Sequence, residues 1–380
     1  MNSLGLEKDP KDTRVIVAMS GGVDSSATAA LLVDEGYEVV GLTLQLYDHG
    51  EAIARGNTCC AGVDIRDARR VAASLGIPHY VLDMEETFKR DVIEDFADTY
   101  LAGKTPVPCV RCNETVKFRD LLDKAKSLGG DLLVTGHYAQ WRMGANGPEL
   151  LRGADHNKDQ SYFLFATTKE QLKFIRFPLG NRSKHMTRAL AEKHALKVAA
   201  KPESQDICFV PTGSYADVVE KLRPGSSREG DIITQDGDVI GRHKGIIHYT
   251  VGQRRGLNIS GGTIYYVLEI DAANNQLIVG PKEALEKTAF TLSGVNWLGE
   301  GDCPPKNGIA VSVKMRSLQI PVEATLFGAE DGGARVELVE PHQGVAPGQA
   351  CVFYDGERVL GGGWIEGCPG IKKNVGKREA

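Results

Sequence analysis

Val15-Ile16-Val17-Ala18-Met19-Ser20-Gly21-Gly22-Val23-Asp24-Ser25-Ser26 reads as an apolar strand, a glycine-rich turn and the opening of a helix. Backbone amides of the two glycines, together with the positive end of the following helix, can hold an anion. The hydroxyls of Ser20, Ser25 and Ser26 are expected to add donors. The run has no Gly-Lys-Ser/Thr, so the lysine that reaches the outer phosphates in a Walker loop is missing.

Outward from that turn, short β-type runs at 14–19, 38–46, 79–82 and 131–135 alternate with helical patterns at 25–35, 65–75, 87–102 and 115–128. This alternation predicts an α/β domain: a parallel sheet with helices on both faces. Gly36 and Gly76 fall where helix C-caps are expected. After a helix-rich stretch at 169–200 the texture changes. Short β-branched runs between Gly and Asp recur at 231–240, 262–270, 276–279, 308–314, 334–338 and 349–354. They predict a small β-containing middle domain and then a C-terminal β-barrel. The expected division is 1–211, 212–285 and 286–371, with 372–380 a disordered basic tail.

A length of 380 residues also favours two or three domains over one. The net charge of −5 argues against a uniformly basic nucleic-acid binder, so any RNA contact is local. A polar start and the lack of a long apolar run predict a cytoplasmic protein that does not enter a membrane. Cys59, Cys60, Cys109, Cys112, Cys208, Cys303, Cys351 and Cys368 are too sparse for a secreted disulfide framework.

Three of these cysteines stand in two polar loops. Pro106-Val107-Pro108-Cys109-Val110-Arg111-Cys112-Asn113 leads into a helix expected from about Thr115, and Ser204-Gln205-Asp206-Ile207-Cys208-Phe209 lies far along the chain. A thiol at a helix N-terminus, with Arg111 beside it and Lys117 further on, is expected to have a lowered pKa. Three readings stay open on the residues alone: reactive thiols, half of a zinc site without a second pair at ligand spacing, and buried inert cysteines.

Ser20-Gly21-Gly22-Val23-Asp24-Ser25 resembles the PP-loop of ATP pyrophosphatases, which cut ATP to AMP and pyrophosphate. The resemblance implies adenylation, with Asp24 helping to hold Mg2+ on the phosphates. Over residues 13–366 the chain further resembles the tRNA-specific 2-thiouridylase family. That likeness rests on Thr105-Pro106, Cys112-Asn113, Lys117-Phe118, Thr135-Gly136-His137-Tyr138, Asn157-Lys158-Asp159-Gln160-Ser161-Tyr162-Phe163-Leu164 and Ile207-Cys208-Phe209. It continues through Gly241-Arg242-His243-Lys244-Gly245, Tyr249-Thr250-Val251-Gly252-Gln253-Arg254-Arg255-Gly256-Leu257 and Ala346-Pro347-Gly348-Gln349.

The resemblance implies ATP-dependent 2-thiolation of the wobble uridine of tRNA. Cys208 is then the persulfide carrier, loaded by an upstream donor or sulfur-relay protein, and Cys112 the nucleophile. The cycle ends in a Cys112–Cys208 disulfide that a reductant resets. Ala18, Met19, Ser20, Gly21, Gly22, Val23, Asp24, Ser25 and Ser26 are expected to bind ATP, with Leu44 on the adenosine and Gly136 near the nucleotide. Val107, Pro108 and Cys109 are expected to face the target base. Lys158, Asp159, Gln160, Arg254, Arg255, Arg316 and Ser317 are expected to contact tRNA, with Arg242, His243, Lys244 and Lys314 as further candidates. Recognition of a splayed loop base suits an anticodon target.

The chain departs from the family at two places. Many members carry Asp, a candidate acid/base, where this chain has Cys109, and a neutral thiol is a weak donor. The usual aromatic after the arginine is replaced by Ser317, which removes a stacking ring. Two other functions fit parts of the sequence. A PP-loop ligase or amidotransferase adenylating a small molecule would not need paired loop cysteines. A non-catalytic RNA-binding protein stabilised by zinc would not need ATP.

Overall fold

The structure, a computed structural model, describes residues 1–47, 60–202, 207–210, 214–260 and 262–367. The expected tail at 372–380, Cys59, Cys368, the Cys60 side chain and residues 203–206 ahead of Cys208 lie outside the described residues.

Strands β1 (Arg14–Ala18), β2 (Glu38–Gln45), β3 (His79–Asp83) and β4 (Leu132–Val134) precede a hairpin of β5 (Ala139–Gly144) and β6 (Gly147–Arg152), and the short β7 (Ile175–Arg176) follows. The first sheet has the order β3-β2-β1-β4-β7, with every pairing parallel. Val15, Ile16 and Val17 have no exposed surface, as a central strand requires when both sheet faces are covered. Helices α1 (Val23–Asp34) and α2 (Cys60–Leu75) pack on Val15 and Val17, while Phe118, Leu121 and Leu122 close over Ile16 from the other side. The chain runs outward from β1 to β3 and then returns to β4, so strand order reverses between β1 and β4. A crevice opens at the carboxyl ends of strands at such a switch point.

The middle sheet has the order β10-β11-β8-β9, from β8 (Gly230–Thr234), β9 (Val239–His243), β10 (Tyr266–Asp271) and β11 (Gln276–Gly280). The run expected as one strand at 231–240 is therefore two, turned back at Gly237. The third sheet contains β12 (Lys287–Trp297), β13 (Ile309–Lys314), β14 (Val322–Gly328), β15 (Ala334–His342), β16 (Ala350–Asp355) and β17 (Arg358–Gly367). Antiparallel pairing of β12 with β17 closes these strands into a barrel, which removes exposed edges.

One joint was not foreseen from sequence. The β5-β6 hairpin belongs to the first 152 residues yet pairs with β17, Leu151 opposite Arg358. A single apolar cluster then runs from Ile16 and Leu133 through Tyr162 and Phe165 to Val352 and Tyr354. Shared burial of that extent fixes the barrel on the α/β domain.

Candidate active site

The β1–α1 turn is shaped by its own hydroxyls. The Ser20 amide donates to Ser25 Oγ at 3.1 Å, and Ser26 Oγ donates to the Gly22 carbonyl at 2.8 Å. Ser25 and Ser26 are buried, so these two hydroxyls build the loop where the sequence suggested extra anion donors. Gly21 adopts φ +72°, and α1 begins at Val23 after Gly22, which as N-cap has no side chain to cap it. Its uncapped first turn keeps amide donors for an incoming anion. Gly136, just past β4, packs on the same turn: a Cβ there would lie 2.9 Å from the Asp24 carbonyl carbon and the Ser25 nitrogen.

The fold brings two lysines to this loop. Lys184 Nζ donates to both Asp24 oxygens at 2.7 and 2.8 Å, and the Tyr138 hydroxyl donates to Asp24 Oδ1 at 2.9 Å. Lys201 Nζ donates to the Gly21 carbonyl at 3.0 Å and to Asp64 and Asp67 at 2.7 Å each. Sequence reasoning missed both lysines. For Lys184 a signal existed: it is the first residue of the helix Lys184–Lys193, where a cation opposes the helix dipole unless an anion faces it.

The thiols occupy a different environment from the one expected. The helix starts at Pro108–Arg111 and continues as a π-helical segment, Cys112–Leu121, so Cys112 is inside a helix and not ahead of one. Cys109 is exposed and Cys112 is buried with Phe88, Val92 and Val116. Leu44, Tyr47 and Phe209 pack on this same cluster. The Phe209 ring meets Phe88 at 5.9 Å and Phe96 at 5.1 Å, both edge-on, and Tyr47 Oη donates to the Cys208 carbonyl at 3.4 Å. Cys208 is thereby pinned beside the strand that carries Leu44.

The expected lowering of the Cys112 pKa is corrected by this geometry. Burial pushes the thiol up, and the Lys117 charge offsets that only in part. Arg111 gives no help: it pairs with Asp95 at 3.6 Å and Glu114 at 3.0 Å and lies 4.5 Å over the Trp364 ring. Cys208 keeps exposed surface but is hemmed in by protein, which pushes its thiol up to about 12; the nearby sulfurs of Cys112 and Cys109 add to the shift. His137 accepts or donates at Nδ1 to Thr135 Oγ1 at 2.8 Å, and burial, then Lys117, hold it well below the usual imidazole range. Burial therefore favours the neutral forms of Cys112, Cys208 and His137.

Residues expected to meet RNA divide in two. Arg242, Lys244, Arg254, Arg255 and Arg316 are exposed, while Val107, Lys158, Gln160 and Ser317 are half-buried and Pro108 is buried. Arg316 lines two adjoining clefts of about 330 and 490 Å³, walled by Thr105, Thr250, Gln253 and Gln349 on one side and Lys282 and His342 on the other. In contrast, His243 is 2% exposed and holds the Asn275 carbonyl, and Lys314 is 4% exposed. Asp159 also points inward, with its side chain 1% exposed: it accepts from the Gly153 and Ser161 amides and from Arg152 Nε at 3.2 Å, with Lys314 Nζ at 3.9 Å. Asp159→Ala leaves Arg152 and Lys314 buried without their shared carboxylate. The expected loss is about 3 kcal/mol of unfolding free energy, seen as a lower urea midpoint, and an unmoved midpoint would refute the buttress role.

Family comparison agrees with this architecture. The family model described as tRNA methyl transferase HUP domain matches residues 13–212. The tRNA methyl transferase PRC-barrel domain matches 217–281, and the aminomethyltransferase beta-barrel domain matches 287–365. A tRNA-specific 2-thiouridylase MnmA of Parvibaculum lavamentivorans is 60% identical over 374 residues, 96% of this chain and 94% of that protein. The same-named proteins of Dinoroseobacter shibae and Rhodospirillum centenum are each 58% identical, covering 96% of this chain and 96% and 94% of their own lengths. Among the described residues no helix is long and apolar enough to cross a membrane. With a PP-loop at the switch point and identity near three-fifths along almost the whole length, the chain belongs to the tRNA-specific 2-thiouridylase family.

Proposed function

We propose that the protein is a cytoplasmic sulfurtransferase that adenylates the 2-oxygen of the wobble uridine of tRNA with ATP and replaces it with sulfur carried as a persulfide on Cys208. The supporting observation is the apolar cluster that unites Leu44, Cys112 and Phe209. It draws a residue beside the nucleotide crevice, one thiol and the segment of the other thiol together from three distant parts of the chain.

The uridine oxygen attacks the α-phosphorus of ATP held on the Gly21–Gly22 turn, and pyrophosphate leaves. The ring carbon then carries AMP as a leaving group. The terminal sulfur of the Cys208 persulfide attacks that carbon and AMP departs. Cys112 thiolate attacks Cys208 Sγ, the sulfur–sulfur bond to the ring sulfur breaks, and 2-thiouridine leaves as the Cys112–Cys208 disulfide forms. In the other order, Cys112 attacks first and releases hydrosulfide, which then attacks the ring. Both orders return two electrons from a cellular reductant to the disulfide. Val107, Pro108 and the exposed Cys109 face the base, and Arg254, Arg255, Arg316, Ser317, Lys158 and Gln160 hold the RNA around it. A sulfur-relay protein loads Cys208 through its exposed side.

Asp24 fits a magnesium ion because hard carboxylate oxygens suit it, and with the ion in place its present partner, Lys184, would be released toward a phosphate oxygen. Such an ion would spread the charge of the departing pyrophosphate.

Single-turnover reaction of unmodified tRNA with ATP and a persulfide donor tests the reading. One 2-thiouridine, one AMP and one pyrophosphate are expected per uridine. Because burial keeps Cys112 protonated at neutral pH, the sulfur-transfer rate should rise by about tenfold per pH unit while the thiol remains mostly protonated. ATP cleavage that ignores RNA and yields no 2-thiouridine would overturn the reading.

A further inference from the structure

Lys117 takes no part in the mechanism above, yet among the described residues it is the one cation whose charge acts on Cys112, Cys208 and His137 together. Its position depends on the π-helical register of Cys112–Leu121. In an α-helix, at about 100° per residue, positions five apart are about 140° apart around the axis. Hydrogen bonds that reach five residues widen the turn and bring Lys117 back toward the face of Cys112. Irregular helical segments of this kind recur at functional sites because the register is less favourable and is kept for what it positions.

The ammonium is fixed there. Lys117 Nζ donates to Asn113 Oδ1 at 2.9 Å, and the buried Asn113 donates through Nδ2 to the Phe163 carbonyl at 2.9 Å. Lys184, Lys201 and Arg111 each hold a carboxylate; among the described residues no carboxylate pairs with the half-buried Lys117. A cation taken partly out of water without a counter-charge is costly, so the arrangement makes sense if an anion forms beside it during the reaction.

We propose that Lys117 is a positioning residue whose ammonium stabilises the Cys112 thiolate at the moment that thiolate attacks the Cys208 sulfur. The proposal rests on the thiol chemistry stated under the proposed function. A phosphate of the nucleotide is the rival anion, and the two make different demands.

The test is alkylation of Cys112 by iodoacetamide across pH 6–10 in the full-length protein without RNA, followed by peptide-resolved mass spectrometry. Lys117→Gln keeps a donor for Asn113 and removes the charge; Lys117→Arg keeps the charge. The alkylation midpoint should rise by about one pH unit in Lys117→Gln, which is about tenfold less thiolate at neutral pH, and stay near wild type in Lys117→Arg. Lys117→Met, read below its own melting temperature, must show the same rise if Lys117→Gln folds poorly. An unmoved midpoint with a raised KM for ATP overturns the proposal in favour of the phosphate, and an unmoved midpoint with normal KM overturns it in favour of a packing role. If wild type fails to thiolate tRNA while the midpoint shift holds, the functional reading falls and the thiolate pairing stands.

Discussion

Cys112→Ala and Cys208→Ala should each reduce formation of free 2-thiouridine by about a thousandfold or more, because each removes a group that bonds to the transferred sulfur or to its carrier. Neither substitution touches the PP-loop, so pyrophosphate release in a single turnover should survive in both. In Cys208→Ala, label from the α-phosphate stays on the RNA because no persulfide displaces AMP. Cys112→Ala separates the two orders of attack. If the persulfide attacks the ring directly, AMP is released and the RNA remains joined to Cys208 through a disulfide that an added thiol cleaves to give 2-thiouridine. If Cys112 must first liberate hydrosulfide, AMP stays on the RNA and the persulfide stays on Cys208. Thiolation at the wild-type rate by Cys208→Ala would remove Cys208 from the carrier role. The reaction must be run without small thiols, which would replace Cys112.

Much of the α/β domain is legible in the chain because its signals are local. The run Val15–Ala18 announces a buried strand by composition, and Gly21-Gly22 announces a turn that few side chains tolerate. The candidate cysteines stand out for the same reason, being thiols in polar segments, one of them proline-marked. Their electrostatics are not legible, because they depend on what covers them. Cys112 is pushed up by Phe88 and Val116, and Arg111 is drawn away by Asp95, Glu114 and Trp364. No spacing rule connects position 111 to 364.

The same holds for the lysines around the PP-loop. Lys184 and Lys201 reach Asp24 and Gly21 from 160 and 180 residues away, distances over which sequence carries no periodic signal. The burial of two RNA candidates was hidden for the opposite reason. Lys314 and Asp159 are charged and sit in motif-like strings, but Arg152 and each other compensate them inside the barrel joint. Glycine-rich β17 escaped notice because Gly361, Gly362 and Gly363 lower strand propensity. Their narrow backbone nonetheless lets β12 and β16 close on both sides.

Gly21→Ala should cost about 3 kcal/mol of stability and lower pyrophosphate release by about a hundredfold, although it adds one methyl group. Two penalties add. Gly21 holds φ +72°, a left-handed conformation that disfavours any Cβ. The new Cβ would also lie 2.1 Å from the Asp64 carbonyl oxygen and 2.7 Å from its carbon, which are backbone atoms of α2 that cannot swing aside. Relief requires either the loop or α2 to shift, and Lys201 resists because it bonds Gly21, Asp64 and Asp67 at once. The adjacent Gly22 provides the control. Its φ is −90°, and a Cβ there meets only Ser20 Oγ at 3.5 Å. Gly22→Ala should therefore melt within about 0.5 kcal/mol of wild type. Thermal melts and single-turnover pyrophosphate release, measured on both variants, separate the effects. If Gly21→Ala melts like Gly22→Ala and still forms pyrophosphate, the phosphate loop does not depend on the close approach of α2, and the loop-to-α2 contact carries no part of ATP binding.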